Sequence, residues 1–83
     1  MKVVIVEDEP LAAEKLERYL LKYSEDIEVL TTLPSLQEAI PWIEENQGRV
    51  DLFFLDIQLS DGLSFEIFSK ISVKKPVIFT TAF

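Results

Sequence analysis

Cysteine and histidine are both absent from the 83 residues of this sequence. Without cysteine the chain can form neither a disulfide nor a zinc finger. Catalysis by a Ser-His-Asp triad or by a Cys-His pair is excluded as well, because both mechanisms need a histidine side chain. These four classes of site are therefore excluded within this chain.

Positive charge and long hydrophobic runs are also scarce. The chain has 8 Lys and Arg against 15 Asp and Glu, which gives a net charge of −7 and a pI of about 4.4. Such acidity argues against direct nucleic acid contact and against an anionic membrane surface, because both attract clustered Lys and Arg. The first apolar run, residues 3–6, stops at Glu7. It is too short for a signal peptide or a membrane span, and we expect a cytoplasmic protein.

The chain alternates between apolar, β-branched segments and segments with helical periodicity. Residues 2–6, 27–33, 52–57 and 76–82 are predicted strands. Predicted helices cover residues 10–23, a segment that opens at Ser35 with the spacing of a capping box, and about residues 63–71. This alternation predicts an α/β fold with a parallel sheet, right-handed crossovers and helices on both faces. We see no linker and no repeat, so we expect one domain over residues 1–83 and no second domain.

The sequence also predicts details of the second and third helices. Pro41 lies beyond the first turn of the second helix, which predicts a kink or a late start there. In the short third helix, the pattern predicts that Phe68 and Ile71 face the core.

Acidic side chains follow two strands that should be neighbours. Glu7 and Asp8 come directly after the first strand, and Asp56 lies at the end of the third. The carboxyl ends of parallel strands form the functional crevice of such sheets, so we expect these carboxylates to lie together. Crowded carboxylates repel unless a cation intervenes, and oxygen ligands suit Mg²⁺. Taken singly, Glu7 and Asp8 could instead interact only with the positive end of the helix dipole, and Asp56 could be a solvated loop residue or cap.

A carboxylate beside a metal in such a crevice can also act as a nucleophile toward phosphorus, which gives an aspartyl phosphate. A nearby hydroxyl would then sense the phosphate, and Thr81 at the end of the fourth strand is well placed to supply it. Thr80 and Thr81 also suit a strand simply because they are β-branched. Side chains alternate along a strand, so only one of the two can face the crevice.

Three motifs in order, VVIVEDEPLA, DLFFLDIQLSDG and VIFTTAF, resemble the receiver domain of bacterial two-component response regulators, in particular those of the LytTR type. The resemblance extends over the whole chain. It implies a flavodoxin-like (CheY-like) doubly wound sheet of strand order 2-1-3-4. It also implies a phosphoacceptor that uses Mg²⁺, a sensor histidine kinase as partner, and a parent protein that is a DNA-binding transcriptional regulator.

The resemblance also implies roles for individual residues. Asp56 resembles the phosphoacceptor and Asp8 the direct Mg²⁺ ligand, with Glu7 as an acidic neighbour that acts largely through water. Gln58 resembles the residue whose backbone carbonyl completes the metal site, and its side chain lies where this family tunes dephosphorylation. Thr81 resembles the switch hydroxyl.

Two departures from the family pattern stand out. The loop QLSDG lacks the usual proline and is shorter than the commonest form, although its Gly62 resembles the glycine that turns the chain into the third helix. The sequence also ends at Phe83, whereas a complete receiver continues with a fourth helix, a fifth strand that carries a lysine, and a fifth helix. We therefore expect a partial receiver with exposed apolar surface, which forms a homodimer or otherwise self-associates.

Two alternative functions stay open beside an input module that is not itself an enzyme. A phosphatase of the haloacid-dehalogenase type also uses an aspartate nucleophile and Mg²⁺, but it needs a second carboxylate where this chain has Gln58. A phosphorylation-independent interaction module is favoured by the missing lysine and disfavoured by the intact acidic set.

Overall fold

The computed structural model describes residues 1–80, and within them four parallel strands form the central sheet. The elements are β1 (Lys2–Val6), α1 (Pro10–Tyr23), β2 (Glu28–Leu33), α2 (Leu36–Asn46), a 3-10 turn (Gln47–Arg49), β3 (Leu52–Asp56), β4 (Gln58–Leu59), β5 (Gly62–Leu63), α3 (Glu66–Lys70) and β6 (Val77–Thr80). The strand order in the central sheet is β2-β1-β3-β6, and every neighbouring pair is parallel. With β6 as the fourth long strand, the predicted order 2-1-3-4 is confirmed.

Strand β1 shows how the core divides into two layers. Val3 and Ile5 pack with Ala13 of α1 on one face of the sheet. Val4 and Val6 pack on the other face, where α2 and α3 contribute Leu36, Ala39, Ile43 and Ile67. Because side chains alternate along a strand, a sheet covered by helices on both faces needs an unbroken apolar run. This is the run that the sequence shows before Glu7.

The two long helices begin where the sequence predicts. Helix α1 starts at Pro10, a position where the missing N–H of proline costs no hydrogen bond. Helix α2 starts after Ser35, whose Oγ accepts the N–H of Glu38 at 3.2 Å. The late start predicted from Pro41 is wrong, because α2 continues through this residue. Pro41 is exposed, so water can reach the carbonyl that loses its helical partner.

The third helix is shorter than the sequence predicts, and its phase differs. It begins at Glu66 and places Ile67 at full burial, with Ile71 packed against the same core cluster four residues later. The prediction for Ile71 is confirmed, whereas that for Phe68 is wrong. One residue beyond Ile67 a side chain is rotated by about 100° around the helix. Phe68 is accordingly 42% exposed and packs edge-to-face on Phe79, with ring centroids 6.1 Å apart.

Strand ends agree with the predicted ones to within a residue, so far as the structure describes them. Strand β2 starts one residue later than predicted and β3 ends one residue earlier, at Asp56. Of the predicted fourth strand, Val77–Thr80 is observed; Pro76 precedes the observed strand, and residues 81 and 82 lie outside the described residues. None of the helices in residues 1–80 has the length and apolarity required to cross a membrane.

A small hairpin follows β3, which the sequence did not predict. Its strands β4 and β5 are antiparallel and two residues long, with Gln58 opposite Leu63 and Leu59 opposite Gly62. The hairpin returns the chain to the end of β3, where the N–H of Ser64 donates to the carbonyl of Ile57 at 2.9 Å. The loop after Asp56 is therefore a defined structure rather than an open connection.

Candidate functional site

Three carboxylates meet at one edge of the sheet. Glu7, Asp8 and Asp56 each place a carboxylate oxygen within 4.8 Å of the other two. Asp56 is 8% exposed, and the other two side chains are half-buried. The structure thus brings together the three acidic residues that the sequence predicted at neighbouring strand ends.

The strand register explains this meeting. Val6 lies opposite Leu55 in the parallel pair of β1 and β3, so the residues that follow Val6 emerge beside Asp56. The chain is held there on its other side, because the N–H of Glu7 donates to the carbonyl of Leu33 in β2 at 3.0 Å. Positions of the acidic side chains are therefore set by backbone pairing within the sheet.

The surroundings of Glu7 raise the pKa of its carboxyl group. Burial is the main cause that raises its pKa, to about 7, and the negative charge of Asp56 acts in the same direction. Hydrogen bonds to Asp8 and Asp56 also favour the protonated form of Glu7, whereas the N–H of Glu9, 3.1 Å from its Oε2, favours the ionised form. The surroundings of the cluster therefore favour the protonated form of Glu7.

A divalent cation could replace this proton. The cluster offers only oxygen atoms, and magnesium binds to one or two protein carboxylates while keeping several waters. Zinc, by contrast, prefers the nitrogen and sulfur ligands that this sequence cannot provide. The donor set therefore fits a hard divalent cation.

An open crevice with a volume of about 950 Å³ surrounds the carboxylates. Gln58, Ser60 and Thr80 line it on the side of β3, and Lys15 and Tyr19 line it on the side of α1. A volume of this size admits a small molecule as well as an ion. The carboxylate of Asp56 is thus accessible from the crevice to a reactant of that size.

The other predicted site residues have different outcomes. Gln58 borders the crevice with its side chain exposed. Thr80 pairs with Asp56 across β3 and β6 and also borders the crevice. Thr81, the predicted switch hydroxyl, lies outside the described residues, and its role stays a prediction.

The hairpin beside Asp56 is fixed by contacts that the sequence analysis missed. Both carboxylate oxygens of Asp61 accept backbone N–H groups at the start of α2, from Leu36 at 2.9 Å and from Gln37 at 3.0 Å. These two hydrogen bonds lower the pKa of Asp61. Ser64 is fully buried, and its Oγ donates to the carbonyl of Ile57 at 3.3 Å. Asp61 lies 24 or 25 residues from its partners, so local sequence patterns give no signal for this contact.

Gly62 is the one position in this hairpin where only glycine fits. Its φ of +146° lies in a region that residues with a Cβ rarely adopt. A Cβ atom would also overlap the Glu66 carboxylate and approach Cδ1 of Leu36 to 2.8 Å. The hairpin therefore packs directly against the beginnings of both α2 and α3.

Comparison with known proteins gives one consistent family. A family model described as the response regulator receiver domain matches residues 3–83. The sensory transduction protein LytT of Bacillus cereus is 38% identical over 86 residues, which is 100% of this chain and 34% of that protein. The transcriptional regulatory protein BtsR of Salmonella typhi is 40% identical over 85 residues, again 100% of this chain and 34% of the relative. The chain thus spans about a third of the length of these curated relatives.

A solved structure agrees with this result. The response regulatory domain of mrkE from Klebsiella pneumoniae superposes with a TM-score of 0.78 at 29% identity, covering 100% of this chain and 68% of that one. The similarity therefore extends from the sequence to the fold.

Proposed function

Since this chain belongs to the response regulator receiver family, we propose that it is the phosphoacceptor module of a two-component system and that Asp56 accepts the phosphoryl group. The observation that carries the proposal is the position of Asp56. It is a nearly buried carboxylate at a strand end, within reach of two other carboxylates and open to a crevice. A nearly buried charge at the end of an otherwise apolar strand costs free energy unless it is paired or binds a metal ion.

The proposed reaction is a direct transfer. A carboxylate oxygen of Asp56 attacks phosphorus, a new O–P bond forms, and the P–N bond to the kinase's histidine breaks, so that the histidine leaves with the bonding electrons. Mg²⁺, when bound, would neutralise the phosphoryl oxygens and lessen the repulsion between the two anionic reactants. We assign Asp8 and Asp56 as direct ligands, Glu7 as a ligand through water, and the backbone carbonyl of Gln58 as a further ligand.

Two features of the environment support Asp56 over its neighbours as the acceptor. It is the most buried of the three carboxylates, and it belongs to β3 rather than to the segment between β1 and α1. Asp56 is largely shielded from bulk water, and an ionised nucleophile so shielded interacts more strongly with a bound cation than it does in water. We further propose that the hydroxyl of Thr81 binds the phosphoryl group once it has been transferred.

The partner in this proposal is a sensor histidine kinase, and the place of action is the cytoplasm. Relatives that this chain matches are named as sensory transduction and transcriptional regulatory proteins. By analogy, we propose that residues 1–83 form part of a receiver domain in a transcriptional regulator and act as its input module rather than as an enzyme. The acidity of the chain, with a net charge of −7, favours DNA contact through another part of such a regulator.

Intact-mass spectrometry tests the proposal. The protein that carries this sequence is incubated with acetyl phosphate and Mg²⁺, and we expect it to gain one phosphoryl group. No such gain should occur when EDTA removes the metal before acetyl phosphate is added. Asp56→Asn should gain none, whereas the matched control Asp26→Asn, at an exposed position away from the crevice, should behave as the wild type. Phosphorylation of Asp56→Asn at the wild-type rate would refute the assignment, and sustained turnover of an aryl phosphate would indicate the phosphatase instead.

A further inference from the structure

Asp61 ties the loop beside the acceptor to a helix that is distant in sequence. The residue sits at the tip of the hairpin between β4 and β5, where the chain turns from Leu59 to Gly62. Its two carboxylate oxygens each accept one of the first backbone N–H groups of α2, at 2.9 and 3.0 Å. The first N–H groups of a helix have no partner within the helix, so a carboxylate from elsewhere can satisfy them. The positive end of the helix dipole attracts the same charge.

The rest of the hairpin is fixed at three other points. Leu59 is 3% exposed and belongs to the core cluster with α2. At the base of the hairpin, both the N–H and the Oγ of Ser64 donate to the carbonyl of Ile57. On the side of α3, the Glu66 carboxylate accepts the N–H of Leu63 at 3.0 Å. Asp61 is the fixed point at the tip, and its hydrogen bonds join two elements that are far apart in the chain.

Between the base and the tip lies the segment that borders the crevice. Gln58 and Ser60 line it, and they are the two exposed positions on either side of buried Leu59. The backbone carbonyl of Gln58, which we assign as a ligand, belongs to this hairpin, so its place relative to Asp56 depends on where the hairpin lies. A hairpin released at its tip would let this carbonyl move, although Leu59 would still hold the middle.

We propose that Asp61 is a positioning residue, which holds the hairpin against the start of α2 so that Gln58 and Asp56 keep the geometry needed to bind Mg²⁺ and accept phosphate. This inference rests on the proposed function. Ser35 serves as an internal comparison, because its Oγ caps the same helix through the N–H of Glu38 without touching the hairpin. Both residues stabilise the start of α2, but Asp61 alone of the two connects it to the acceptor loop.

Calorimetric titration with Mg²⁺ tests this role in the protein that carries the sequence. We expect Asp61→Ala to bind Mg²⁺ about tenfold more weakly, the lower end of the range for outer partners of metal ligands. Ser35→Ala should leave Mg²⁺ affinity unchanged. Asp61→Asn keeps one acceptor oxygen for the start of α2 and should recover part of the affinity. Equal affinities for the Asp61→Ala and Ser35→Ala proteins would overturn the proposal.

Two further measurements distinguish a failure of this proposal from misfolding of the variant and from a failure of the proposed function. If Asp61→Ala does not fold, as judged by circular dichroism, Asp61→Asn is compared with Ser35→Ala in its place, and equal Mg²⁺ affinities again overturn the proposal. The rate of phosphorylation by acetyl phosphate should fall in parallel with Mg²⁺ affinity. A wild-type protein that binds Mg²⁺ but gains no phosphoryl group would refute the proposed function, while the comparison of Mg²⁺ affinities would still decide the role of Asp61.

Discussion

Replacing Glu7 by glutamine removes one of three crowded carboxylates and keeps the size of the side chain. We expect Glu7→Gln to stabilise the folded protein at pH 8 when divalent cations are absent. The physical reason is that burial and the nearby Asp56 charge raise the pKa of Glu7, so that ionising it costs free energy in the folded state. An amide has no charge to ionise, and its N–H groups can donate to the neighbouring carboxylates.

The magnitude follows from the size of the change in pKa. The pKa of Glu7 rises from 4.5 to about 7, which at roughly 1.36 kcal/mol per pH unit corresponds to about 3 kcal/mol. Glu7 is only partly buried, and solvent screening reduces the expected effect to on the order of 1 kcal/mol.

The sign also defines a pH window. Between pH 4.5 and about 7 the folded state binds more protons than the unfolded state, so wild-type stability falls as the pH rises through this window. Below the window Glu7 is protonated in both states, and its effect on stability disappears. The advantage of Glu7→Gln should therefore be less than half of its full size at pH 5.5 and reach its full size at pH 8.

Urea denaturation followed by circular dichroism, in EDTA at pH 5.5 and at pH 8, measures the difference. The lower pH of 5.5 stays above the pI of about 4.4, because precipitation near the pI would interfere with the measurement. Glu14→Gln, at an exposed position on α1, is the control for the loss of one negative charge. Saturating Mg²⁺ should cancel the advantage of Glu7→Gln, because the cation relieves the repulsion in the wild type. The same pH dependence of stability in the wild type and in Glu7→Gln would refute this reasoning.

Three other predictions concern backbone fit, metal binding and assembly. Gly62→Ala should lower the free energy of unfolding by about 1–3 kcal/mol through overpacking. Gly48→Ala should not lower it, because a Cβ there would meet nothing within 4 Å. Equal losses of stability in urea denaturation would contradict this difference. Asp8→Asn should weaken Mg²⁺ binding in calorimetry more than Glu7→Gln does, because a direct ligand is lost rather than one that acts through water; the reverse order would count against the assignment. The 83-residue chain alone should self-associate in light scattering at micromolar concentration, since β6 has one described strand partner and Phe79 is 40% exposed; a folded monomer would disprove it.

The sheet and the acidic cluster could be predicted because they depend on short-range patterns. Unbroken apolar runs indicate strands that helices cover on both faces, and alternation with helices fixes the parallel arrangement. Once Glu7 and Asp56 are assigned to the ends of two such strands, parallel pairing brings them to the same edge of the sheet. The observed register of Val6 opposite Leu55 agrees with this reasoning.

The contacts of the hairpin could not be predicted in the same way. Asp61 meets the start of α2 because the fold places the two segments side by side, and neither segment carries a local sign of the other. Ser35 was found because its partner Glu38 lies three residues away, within the reach of a capping pattern. The misplaced Phe68 has a similar origin. Its orientation depends on where α3 begins, and the hairpin that delays this start is itself held by tertiary contacts.

The central claim is that Asp56 carries the phosphoryl group, and locating the modified residue tests it most directly. After treatment with acetyl phosphate and Mg²⁺, borohydride reduces an aspartyl phosphate to homoserine, and tandem mass spectrometry of the digested protein then identifies the altered position. The account predicts homoserine at position 56 and an unaltered aspartate at positions 8 and 61. Homoserine at either of those two positions, or full phosphorylation with no change at position 56, would contradict it.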